Sequence, residues 1–406
     1  MATIPTGVQV DCAYKLETTN GTAAGASGAT LLRRVSIDLD KSADSYESDE
    51  IIKTYQVSDM RLGMRKIGGS LKGRLSPASY APFIAASLRK AFATGGTITA
   101  STIAATSTTF TDSGSGFLTA GFKVGDVVAP AGFTGANVGN NARSYLITTL
   151  TAGVMTVVNM DGTAPTLIAD AAGESVTIAI VGKKCYVPST GHTNQAFSIE
   201  KLFGTTTPIS ELYLGCKIAS IDVSLPATGL AGIDFGFMGF SRAALATSGY
   251  FTTPSAAPTT GLAAAVNGVV LFQGAVVAVM TGLSIKIDGG MSTGAVIGSN
   301  YTPDVFVGRV KVNGQLTAYL QDATFISAFD AETEVSIIGV FTLDNSAAPK
   351  FVSFVMPRCK LQGATKSDGE QGITITAPFT ALYNSAGGTG INSEQSTIVV
   401  QDSDAT

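Results

Sequence analysis

The 406-residue chain has no tryptophan, a single histidine and few charges, with Asp, Glu, Lys and Arg making up only 14% of it. Each shortage removes a class of function. The one histidine, His192, sits in the loop-like stretch STGHTNQA with no orienting carboxylate or fellow ligand nearby in sequence. No GxSxG elbow, HExxH metal site or GxxxxGK[ST] phosphate loop occurs. The four cysteines, Cys12, Cys185, Cys216 and Cys359, are far apart and form no CxxC pair, so buried reduced thiols are expected. A net charge of −4 lacks the surplus of Lys and Arg that tight nucleic-acid binding needs. The inventory predicts no enzyme, no cofactor and no metal.

Long hydrophobic runs are also missing. The most apolar stretch, GLAAAVNGVVLFQGAVVAVMTGL (261–283), is broken by Asn267, Gln273 and several glycines, and reads as adjacent buried strands. The opening MATIPTGVQV has neither the charged nor the apolar region of a signal peptide, so none is expected.

What is abundant is Gly, at 46 positions, with Thr, Ser, Ala and Val; that composition favours an all-β protein with tight turns. Several segments alternate with the period of two of a half-buried strand. Inward sets are Val35, Ile37 and Leu39; Ile67, Leu71 and Leu75; Ala219, Ile221, Val223 and Leu225; and Leu283, Ile285 and Ile287. After Leu75 the period changes, and Tyr80, Phe83, Ile84, Leu88 and Ala91 predict a short helix with Pro82 in its first turn. Ser79, and Asp322 before the second short helix, are its expected N-caps.

The chain repeats itself. VSIDLD (35–40) resembles LSIKID (283–288), and SLKGRLSPASYAPFIAAS (70–87) resembles KVNGQLTAYLQDATFISAF (311–329). That alignment sets Gly73 beside Gly314 and Leu75 beside Leu316. FSIEKLF and GCKI (197–203, 215–218) resemble VSIIGVF and RCKL (335–341, 358–361). Four matches in unchanged order predict a duplicated unit, spanning roughly 28–245 and 268–395. Between the halves of the first copy lies 95–182, rich in Thr, Ser and Gly, with short strand-like segments. The expected organisation is residues 1–94 with 183–245 as a first β-sandwich and 95–182 as an inserted small barrel or Ig-like domain. A second sandwich (246–395) and a C-terminal tail (396–406) follow.

One feature of the charge is local. The acidic run DLDKSADSYESDE (38–50) carries Asp44, Glu47, Asp49 and Glu50, but no glycine at the bend of a calcium loop. Arg61, Arg65, Lys66, Lys72 and Arg74 follow it directly. The two stretches read as arms of one long hairpin or flap. Opposite charges either pair within it, weakly, or meet those of a neighbouring subunit in a head-to-tail contact. The nine residues are the candidate inter-subunit contacts.

These segments resemble the tail tube proteins of long-tailed bacteriophages. The likeness rests on YKLETTNGT (14–22), on ESDEI followed by GGSLKGRLSPASYAPFIAASL, on FSIEKLF with ELYLGCKIASIDVSLPATGLAGIDFGFMG, and on GRVKVNGQLTAYL with GITITAPFTALY. The resemblance implies β-sandwiches whose inward strands join neighbours into a barrel around a channel. It implies rings that stack into the tube conducting DNA to the host. Partners implied are the chain itself, a tape measure protein, tail terminator and tip proteins, and DNA passing without specific binding. Assembly in a host cytoplasm into the virion tail is implied as well. Since single-fold members would form six-membered rings, a duplicated chain is expected to form trimers rather than hexamers. A conduit subunit of a contractile injection system and a virion-surface carbohydrate-binding protein, with 95–182 as the binding part, are the alternatives.

Overall fold

The computed structural model describes residues 4–204, 208–368, 370, 372–388 and 394–406. The elements fall into three groups. The first runs β1 (Val10–Leu16), β2 (Thr30–Leu31), β3 (Ser36–Ile37), β4 (Asp40–Glu47), β5 (Met60–Arg74), α1 (Ala81–Leu88) and β6 (Ala93–Thr94). Next come the strands of a separate seven-stranded sheet: β7 (Thr97–Ala100), β8 (Ile103–Ala105), β9 (Thr109–Asp112), β10 (Val127–Ala131), β11 (Tyr145–Leu150), β12 (Val154–Asn159) and β13 (Val176–Ile180). The first group then resumes with β14 (Lys183–Tyr186), β15 (Phe197–Phe203), β16 (Ile209–Pro226), β17 (Gly232–Gly239) and β18 (Ser241–Arg242). The third comprises β19 (Gly268–Phe272), β20 (Ala275–Val276), β21 (Met280–Asp288), β22 (Ser292–Thr293), β23 (Val305–Phe306), β24 (Lys311–Tyr319), α2 (Thr324–Asp330), β25 (Val335–Thr342), β26 (Phe351–Leu361), β27 (Thr365–Lys366), β28 (Thr374–Ala381) and β29 (Val399–Asp402). The fold is all-β with two short helices.

The two flanking groups match residue for residue in how they pair. In the first, β15 pairs β16 with Phe197 opposite Cys216, a bulge, then Ile199 opposite Tyr213 and Phe203 opposite Ile209. In the third, Val335 faces Cys359, a bulge follows, then Ile337 faces Met356 and Phe341 faces Val352. Outward from there, Tyr14 and Phe272 occupy equivalent places against Ile199 and Ile337. The bulge in β16 is braced by the Glu17 carboxylate of YKLETTNGT, which accepts from Gly215 N at 2.8 Å, Ser198 Oγ at 2.8 Å and Gly21 N at 2.8 Å. Gly215 has a φ of +64°, which favours glycine there.

The sequence alignment of the repeat slips along two strands. Ile218 and Leu361 occupy one place, and their partners are Phe237 and Phe379. Phe379 pairs Gly314, whereas Phe237 pairs Gly69, not Gly73. A Cβ would lie 2.7 Å from Asp38 O at Gly69 and 2.3 Å from Ser284 O at Gly314, so both glycines admit the same close neighbour. Gly69 is thus the counterpart of Gly314, and Asp38 of Ser284. The slips are of four and two residues. Both are even, and an even slip leaves every side chain on its own face, so alternation alone cannot detect it.

Other expectations need correction. Leu39 is fully buried but Val35 is 61% exposed, because the 34–40 stretch is no single strand: β3 covers only Ser36–Ile37 and β4 begins at Asp40. A bulge between Ile218 and Ser220 puts Ile218, rather than Ala219, in the core. Ser79 makes no capping bond to α1; Asp322 does accept Thr324 N, from one residue outside the helix cap. Residues 396–406 are no trailing tail, since β29 lies between β14 and β26. The AGGTG stretch (386–390), whose composition reads as a flexible tail, lies partly outside the described residues.

The seven-stranded sheet has its own core, including Phe110, Phe117, Phe122 and Tyr145. The chain enters and leaves it through β6 and β14, which pair with each other. It sits on the third group, with Val127, Leu146 and Met160 packed against Val269, Leu271, Ile338 and Val355. Lys184 bridges the join, its Nζ 2.9 Å from Asp126 and 3.0 Å from Glu394. Burial opposes its charge, but the two carboxylates outweigh burial and raise its pKa.

Phe83 of α1 touches the rings of Tyr14, Phe197, Phe235 and Phe237, centroids 4.8–5.7 Å apart, whereas its counterpart Phe325 has one ring neighbour among the described residues, Phe272 at 4.7 Å. Phe83→Ala is therefore expected to cost about 3–5 kcal/mol, and Phe325→Ala less, by denaturant unfolding. Asp402 gives a second expectation. Burial, then Asp404, push its carboxyl up to about 6, although Ala78 N donates to it at 2.9 Å. Between about pH 4 and 6 only the folded chain holds this proton, so stability falls as pH rises, by on the order of 3 kcal/mol in all. Unfolding curves at pH 4 and pH 7 should show that fall flattened in Asp402→Asn.

Candidate assembly edges and flap

Unpaired strand edges are the chemistry available here. Starting from β3 and β4, backbone pairing runs through β5, β17, β16, β21, β24, β28 and then β26 with β27. One face of this sheet is core: the row Ile37, Leu71, Phe235, Ile221, Ile287, Val312, Ala381 and Cys359 crosses it strand by strand. The next row, on the other face, is polar. It reads Ser36, Lys72, Asp234, Asp222, Lys286, Asn313, Thr380 and Lys360. Its charges of both signs alternate in blocks. Partial burial, with Asp222 opposite, raises the pKa of Asp234 against the pull of Lys72.

At the centre, the two matched groups join by β16 and β21, seven residue pairs from Ser220–Asp288 to Pro226–Gly282. Lys286 Nζ lies 3.6 Å from Asp222 there. The outer strands have no such partner among the described residues. β3 and β4 pair only with β5, and β27 only with β28. The sequence patterns missed these edges because edge and centre strands share one alternation. The exposed acidic run at Asp38 and Asp40 was the one visible signal.

The candidate contact residues fall on the β4–β5 hairpin, which extends well past the sheet. Lys66 pairs Asp44 at 2.8 Å, with both side chains substantially exposed. Arg65 stacks on Tyr301, 5.4 Å from the ring centroid, and donates to its hydroxyl. Arg61 meets Asp59 at 3.2 Å rather than the acidic strand. Glu47, Asp49 and Glu50 are exposed at the far end, where Ser58 Oγ donates to Glu50. Lys72 and Arg74 belong instead to the polar face of the sheet, Lys72 opposite Asp234 and Arg74 opposite Gly232. The structure therefore divides the nine between flap and sheet. What charge counting overlooked is apolar: Ile51 is 102% and Tyr55 100% exposed, with Leu62 at 64%.

His192 is exposed in a loop, and no group of three metal-ligating side chains occurs among the described residues. The four thiols are free and buried, and burial pushes Cys185 up to about 12. No helix among the described residues is long and apolar enough to cross a membrane.

A family model for phage tail tube proteins matches residues 7–381. The chain belongs to this family. No curated protein matches it. The match runs through both groups of sandwich strands and the seven-stranded sheet between them. A tail tube protein is a structural component of the virion tail, assembling with copies of itself, and that role asks for sheet edges and protruding contacts rather than an active site. The family identity accords with a non-enzymatic chain.

Because the flap tip makes few contacts within its own chain, Ile51→Ser with Tyr55→Ser should change the unfolding free energy of dispersed protein by less than about 0.5 kcal/mol. A larger loss in chemical denaturation would mean that the tip is part of the folded core.

Proposed function

We propose that this tail tube protein forms closed rings of three chains, each chain supplying two pseudo-equivalent modules, and that the rings stack into the channel through which DNA leaves the capsid. The observation that carries the reading is the central β16–β21 junction. It joins two groups of equal register edge to edge, and leaves at the periphery the same two kinds of edge that it pairs internally. Repeating that contact between chains pairs the two outer edges of this sheet, and closure removes them as sites of aggregation.

The polar face of the sheet suits a channel wall. Its mixed charges offer no run of cations to grip phosphates, so a polyanion passes without being held. The flap, with exposed Ile51, Tyr55 and Leu62 beside Glu47, Asp49 and Glu50, suits contact with the next ring. The nine charged candidates serve this role only at the flap: Glu47, Asp49, Glu50 and Arg61 lie where a stacked ring would reach. Tape measure, terminator and tip proteins would meet the same surfaces at the inside and ends of the tube. Assembly takes place in the host cytoplasm, where free buried thiols are stable.

Electron microscopy of purified protein should show hollow rods, and native mass measurement of dissociated rings should give three chains. Six full-length chains per ring would defeat the trimer, and persistent monomers at high concentration would defeat the tube. The Ile51→Ser, Tyr55→Ser variant should give single rings without rods.

A further inference from the structure

The register of the contact between chains can be read from the contact inside the chain. This inference rests on the ring reading above and specifies its interface. Three equivalences fix it. Lys286 pairs Asn313, and its counterpart Asp40 pairs Gly68, the residue before Gly69. Asp222 pairs Asp234, whose counterpart Thr376 pairs Thr365. Ser224 pairs Gly232, whose counterpart Thr374 accepts a backbone hydrogen bond from Ser367. Inside the chain, Asp222 faces Lys286 and Ser224 faces Ser284.

We infer that β27 of one copy pairs antiparallel with β3 and β4 of the next copy, Thr365 opposite Asp40 and Ser367 opposite Asp38. All four residues are exposed. The internal junction fixes the direction: there a trailing strand, β16, meets a leading one, β21, antiparallel. A contact between unlike edges is heterologous and generates a ring when its rotation closes.

Paired cysteines test the register. The native thiols are all buried and will not compete. In assembled, oxidised Thr365→Cys/Asp40→Cys protein, and in Ser367→Cys/Asp38→Cys, non-reducing gels should show a covalent ladder ending at three chains. Thr365→Cys/Glu47→Cys, seven residues out of register, should remain single chains, because a disulfide spans Cα atoms no more than about 7 Å apart. Should the double-cysteine proteins not assemble, Thr365→Cys chains are mixed with Asp40→Cys chains and oxidised instead, and should give a cross-linked pair of chains. Rods with no cross-link in any matched combination would overturn the register while leaving the tube standing. Wild-type protein that forms neither rings nor rods would remove the ring reading, and this inference with it.

Discussion

The structure depends on one requirement: backbone N–H and C=O groups along a strand edge must find partners. Within the chain, β16 and β21 meet that requirement for each other over seven residue pairs, and the consequence is a single core. Buried residues from the first group, such as Leu71 and Phe235, and from the third, such as Val312 and Phe379, belong to the same cluster. Two modules that began as tandem copies in sequence are therefore continuous in space. The long strands β16 and β26 make this possible. Each pairs first with β15 or β25 in the outer sheet, passes a bulge, then pairs with β17 or β28 in the inner one. A bulge bends and twists its strand, and so lets one strand serve two sheets.

Much of this was legible in the residues. Leu71, Ile221, Ile285 and Ile287 were expected inward and are buried, because period-two alternation is the direct imprint of a half-wet sheet. The repeat was legible as well, since Phe83 with Ala86 and Phe325 with Ala328 recur on short helices in the same order. Register was not. Pairing depends on residues far away in sequence, and a slip of two or four leaves every apolar side chain where it was. Gly69 and Gly314 were distinguishable from Gly73 only through their neighbours, the carbonyls of Asp38 and Ser284.

Two further features lay beyond pattern reading for a related reason. The seven-stranded sheet is inserted in the first group but packs on the third, and β29 reaches back from the C-terminus to pair with β14. The short strand-like segments of 95–182 do not name what buries Val127, and the stretch read as a tail holds Val399, which is buried. Charge counting grouped Lys72 and Arg74 with the flap as contacts with a neighbour; their spacing along β5 puts them on the sheet, where Lys72 stands opposite Asp234.

The scarcity of charge that opened the sequence leaves little for ion pairs to decide, and exposed ion pairs contribute little stability in any case. The backbone hydrogen bonds of any strand can pair with any other, so what separates the internal junction from the outer edges is length and connection. β16 and β21 belong to one chain and pair over seven residues, whereas β27 offers two. The internal contact forms at the high effective concentration of a single chain. A tube protein built this way joins its own two modules first and leaves the outer edges for another copy.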